Sequence, residues 1–64
     1  MIRVRYQQLG GHTHIEVRSG PDADRPLALC GTLILDNHDA DLLIDALERR
    51  AGAGIDVVHV AGTE

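Results

Sequence analysis

The chain has 64 residues with six arginines, no lysine and ten acidic side chains, a formal charge of −4. That length allows one domain near the lower limit for independent folding, and that charge disfavours nucleic acid or an anionic membrane as a general partner. A single cysteine, Cys30, excludes an internal disulfide and a cysteine-based zinc cluster. The extra stability that so small a core needs is therefore expected from oligomerisation.

Residues 2–9 alternate, with Ile2, Val4 and Tyr6 on one side and Arg3, Arg5 and Gln7 on the other, the period of a half-buried strand. Residues 12–18 alternate in turn, Thr13, Ile15 and Val17 against His12, His14, Glu16 and Arg18. Gly10-Gly11 between them suits a two-residue type I′ hairpin loop. With those two as the loop, Tyr6 faces Ile15, Val4 faces Val17, Arg5 faces Glu16, Gln7 faces His14 and Arg3 faces Arg18. Both strands then place their apolar residues on one face without adjustment.

The segment Gly20 to Pro26 is polar, bounded by two prolines, and reads as a loop. Residues 27–35 (LALCGTLIL) carry Leu29, Leu33 and Leu35 on one face and Ala28, Cys30 and Ile34 on the other. A strand apolar on both faces is expected at the centre of a sheet or covered on both sides, and Gly31 suggests a bulge or close approach. Asp36 and Asn37 are good helix caps, and Asp39 and Asp41 place negative charge in the first turn. A helix is expected to about Ala51, its stripe of Ala40, Leu43, Ile44, Leu47 and Ala51 facing the sheet, with Asp45 and Arg49 paired at i, i+4 and Gly52 as a left-handed stop.

Residues 55–60 (IDVVHV) form a fourth strand, and Gly62-Thr63-Glu64 a loose tail. The order β-β-β-α-β predicts a single α+β domain over residues 1–64, one helix packed on a four-stranded mixed sheet. A right-handed crossover sets the last strand parallel to the third, beside either the third or the first. No apolar run is long enough to span a bilayer and no signal-peptide pattern opens the chain, so a cytoplasmic location is expected.

The stretch RYQQLGGHTHIEVRSGP, followed by a GTLIL strand and a helix ending in LIDALERR, resembles a group of small accessory proteins of unknown function from phages of actinobacteria. Their hairpin has the form RYxQLGGHxHxxV, and the likeness runs from Arg5 to about Leu47. It departs at the helix start, where Asn37-His38-Asp39-Ala40 stands in place of an acidic pair and an aromatic. The resemblance implies a protein acting in the host cytoplasm and no catalytic residues.

His12 and His14, at i and i+2 of a strand, point the same way, so both rings could reach one metal ion if His59 or Glu16 completed the set. No closed ligand set is visible, and solvent-facing hairpin residues are the plainer reading, so no metal and no cofactor is expected. Cys30 with a histidine is the sole candidate for nucleophilic catalysis; a lone cysteine in an apolar strand is more often a small buried hydrophobe, and the chain is not expected to be an enzyme. With one helix, one sheet face lacks a cover unless the PDADRP loop folds over it. That face is expected to carry Arg3, Arg5, His12, His14, Glu16 and Arg18 at the hairpin, with Ala28, Cys30 and Ile34, and Ile55, Val57 and His59 joining them. These residues point to a protein–protein interaction module, a homodimer, and the resemblance implies a host or phage protein as its partner. The alternative is a nucleic-acid-associated regulator using Arg3, Arg5 and Arg18.

Overall fold

A computed structural model describes residues 1–22 and 24–61; the expected tail at 62–64 lies outside them. The elements are β1 (Ile2–Leu9), β2 (His12–Ser19), β3 (Ala28–Asp36), α1 (Asn37–Glu48) and β4 (Ile55–His59). They form the expected α+β arrangement, one helix on a four-stranded mixed sheet of order β3-β2-β1-β4. β4 runs parallel to β1, and through two antiparallel steps it is also parallel to β3.

The β1–β2 hairpin has the register that the Gly-Gly loop dictates, with Arg5 opposite Glu16 and Tyr6 opposite Ile15. The turn differs from the expected type. Gly10 alone of the pair has positive φ, at 65°, whereas type I′ requires it at both central residues; the pattern is that of type II′.

The helix begins as its caps foretell: the Asp36 carboxylate accepts from Asp39 N at 2.8 Å, satisfying one of the first-turn donors. Asn37 ties this start to the hairpin turn, its Nδ2 donating to Gly10 O and its backbone N–H to Gly11 O. The helix ends earlier than expected, at Glu48 with Arg49 as its cap. Arg50 N and Ala51 N bond three residues back, to Leu47 O and Glu48 O, so the chain tightens out of α geometry before Gly52 is reached. Ala51 is thus exposed rather than part of the packing stripe.

The core lies between α1 and one sheet face. Val4, Ile15, Ala40 and Ile44 are buried, and Tyr6, Val17, Leu35, Leu43, Leu47 and Val57 pack around them. Among the described residues the buried polar side chain is Thr13, 1% exposed; its hydroxyl donates to Asn37 Oδ1 at 2.9 Å, which removes the penalty of burying it unpaired.

The third strand departs most from expectation. It is an edge strand, and every residue from Ala28 to Asp36 except Leu35 is exposed. β4 took the place beside β1, where Val57 joins Val4 in the core and Asp56 meets Arg3. A register shift at Val17/Arg18 pairs Val17 with Gly31 but Arg18 with Leu29, leaving Cys30 as the extra residue. Such a bulge reverses the facing of what precedes it, so Leu29 joins the arginine side and Ala28, opposite Ser19, joins the helix side.

Candidate functional site

Because successive strand residues point to opposite faces, the odd positions of β1 and the even positions of β2 share the face away from α1. All six candidate residues lie there: Arg3, Arg5, His12, His14, Glu16 and Arg18. Among the described residues no helix or strand covers them. The loop after β2 closes only the end of the sheet, where Leu27 is buried against Gly20 and its carbonyl accepts from Arg18 Nη1 at 3.3 Å.

The charges on this face are partly spent on each other. Arg18 Nε donates to Glu16 Oε1 at 2.6 Å, and Arg3 Nε to Asp56 Oδ2 at 3.0 Å. The Arg18 hydrogen bond holds the Glu16 carboxyl below its ordinary pKa, with a smaller contribution from the nearby Arg5 charge. Arg5 itself makes no ion pair among the described residues and is exposed. The hairpin pairing therefore sets Arg5 opposite Glu16, while the direct contact to Glu16 comes from its own strand.

A shallow depression of about 260 Å³ opens on this face, its rim including Arg5, Gln7, His14, Glu16, Thr32 and Val60. Gln7, Thr32 and Val60 were not singled out from the sequence. Gln7 was legible as the residue opposite His14, but Thr32 and Val60 depended on which strands flank the hairpin. Next to the polar rim, Leu29 and Ile34 on β3 are 54% and 61% exposed, so a charged patch adjoins an apolar one.

β4 contributes different residues to this face from those expected. Its register with β1 pairs Arg3 with Asp56 and Arg5 with Val58, so Asp56, Val58 and Val60 face outward, while Ile55, Val57 and His59 lie on the helix side. His59 stacks on Tyr6, ring centroids 4.8 Å apart and planes inclined by 16°. It is thus on the opposite side of the sheet from His12 and His14 and cannot complete a ligand set with them. Among the described residues the group with ligating atoms close together is Asp36, His38 and Asp39, all exposed at the start of α1. The Asp36 carboxylate is already engaged as the helix cap. Cys30, expected on the outer face, is the extra residue of the bulge; it is exposed, and its thiol is 3.7 Å from the Ala28 carbonyl. No described helix is long and apolar enough to cross a membrane.

Comparison of the chain with protein-family models, with curated proteins and with solved structures gives no match.

Proposed function

We propose that this chain is a protein–protein interaction module: a small phage-type accessory protein, working as a homodimer in the host cytoplasm, that meets a host or phage partner with the open face of its sheet. The observation that supports this most is the composition of that uncovered face. Arg5, which makes no ion pair among the described residues, and His14 line a shallow depression there, with His12 and the exposed Leu29 and Ile34 elsewhere on the same face. A polar rim beside exposed apolar side chains is the make-up of a protein-binding patch. Electrostatics disfavour the nucleic-acid alternative. Two of the three arginines on the face are already matched to carboxylates, the chain carries a net −4, and no aromatic stacking platform stands among them.

The test is capture from lysate of an actinobacterial host, followed by calorimetry with the purified partner. Wild type is compared with an Arg5→Ala/His14→Ala variant and a Leu42→Ser variant on the exposed helix surface. Binding lost in the first and kept in the second supports the reading. The reverse moves the site to the helix. Steeply salt-dependent binding of DNA or RNA that fails in Arg5→Ala supports the nucleic-acid alternative instead.

A further inference from the structure

The two edges of the sheet are built differently. β4 is five residues long and carries Asp56, and both shortness and charge discourage pairing with another chain. β3 carries no charged side chain from Ala28 to Leu35 and no proline. A bulge at Cys30 disturbs its first half, while Gly31 to Leu35 continue in regular register.

Backbone parity shows which groups of that second half are open. Asn37 N donates to Gly11 O, so the pair just beyond the strand end is a hydrogen-bonded one. Alternation along an antiparallel ladder then makes 35/13, 33/15 and 31/17 hydrogen-bonded pairs and turns the N–H and C=O of Thr32 and Ile34 to the free edge. The far end of the hairpin gives the same parity independently. Gly20 and Met1 exchange hydrogen bonds there, which assigns Thr13, Ile15 and Val17 to bonding with β3.

We propose that the free edge of β3 is a self-pairing interface, on which a second copy of this chain adds its own β3 antiparallel to form a continuous eight-stranded sheet. This names the contact surface of the homodimer and rests on that part of the proposed function. A twofold axis at Leu33 sets Thr32 of each copy opposite Ile34 of the other. Each such hydrogen-bonded pair exchanges two bonds, so about four link the chains. Leu33 meets its own counterpart on the helix side, and Ile34 packs beside Thr32 on the outer side. Leu33 and Ile34 are 47% and 61% accessible, and both lie in the regular half of the strand. Electrostatics permit a second copy despite the net charge. In this register the two Asp36 side chains are six residues apart along the strand direction, about 20 Å at ~3.4 Å per residue. That is more than two Debye lengths of ~8 Å at physiological salt.

The experiment is sedimentation velocity on wild type, Ile34→Lys and Thr32→Pro, with folding checked by circular dichroism. Proline at 32 removes only an outward N–H, and Ile34 is exposed, so both variants keep the β2–β3 ladder. Wild type is expected at twice the 6.9 kDa of one chain, and each variant to raise the dimer dissociation constant by at least ~10-fold. In a Cys30→Ser background, Leu33→Cys is expected to cross-link on mild oxidation, and Leu42→Cys, on the helix, to give no covalent dimer. A dimer that survives both edge variants, or that Leu33→Cys fails to trap, overturns the edge interface and leaves the homodimer standing. Wild type that is monomeric at several hundred micromolar overturns both. The calorimetric partner test on the outer face reads separately from either result.

Discussion

The Thr13 hydroxyl donates a 2.9 Å hydrogen bond to the Asn37 side-chain carbonyl, joining the second strand to the first helical residue across 24 positions of sequence. The Asn37 amide continues to Gly10 O, so one side chain fixes hairpin, turn and helix start together. Thr13→Val fills the same space but leaves Asn37 Oδ1 without its donor, and is expected to cost about 1–2 kcal/mol. Asn37→Ala should cost a similar amount, and the two should be strongly non-additive in a double-mutant cycle by urea unfolding. Additive losses would mean that the bond does not couple the elements.

The hairpin turn offers a sharper contrast between neighbours. Gly10 has φ of 65°, a region that costs an L side chain about 1–2 kcal/mol, whereas Gly11 lies outside it. Neither position is crowded, with nothing within 4 Å of an added Cβ. Gly10→Ala is therefore expected to lower the melting temperature by roughly 4–8 °C per kcal/mol lost, and Gly11→Ala to leave it nearly unchanged. Equal effects at the two positions would contradict the turn geometry.

Acid should destabilise the fold through two carboxylates. Hydrogen bonding from Asp39 N holds the Asp36 carboxyl below its ordinary pKa, and the Arg18 hydrogen bond does the same for Glu16. Both folded-state values lie below the unfolded ones, so their stabilisation is present above the ordinary carboxylate range. It is lost as pH falls from roughly 4.5 through the depressed values. Asp36→Asn, which keeps a capping oxygen, should flatten the acid limb of a stability–pH curve, and Glu16→Gln should flatten it further. An unchanged limb would remove these two groups as its cause.

Tyr6 supplies a spectroscopic check, since it is the chain's single tyrosine and tryptophan is absent. Burial raises the Tyr6 phenol above its ordinary pKa, with Glu48 and Asp41 on the facing helix adding to the shift. The raised value means that the neutral phenol favours the fold, so stability falls as pH rises from roughly 10 through the folded value. The near-ultraviolet phenolate absorbance of the folded protein should titrate at higher pH than in denaturant. Glu48→Gln should move its midpoint part of the way back, and coincident titrations would contradict the helix-over-Tyr6 packing.

The sequence by itself determined what is local. Turn length and alternation set the register from Arg3–Arg18 to Gln7–His14, because a one-residue slip would turn Val4, Ile15 and Val17 out of the core. The Asp36 cap and the Ala40–Ile44 stripe were legible for the same kind of reason, each resting on residues three or four apart. The tertiary structure alone decided the place of β4, since IDVVHV can pair beside either outer strand. Its choice of β1 gave Arg3 its Asp56 partner, sent His59 to Tyr6 and away from His12 and His14, and left β3 at the edge. The facing of Leu29 was likewise hidden, because LALCGTLIL is apolar in both alternations and gives no sign of where a bulge reverses them. Local periodicity encodes which side of a strand is buried when the two sides differ in polarity. Strand order is settled by which distant segments complete the same core.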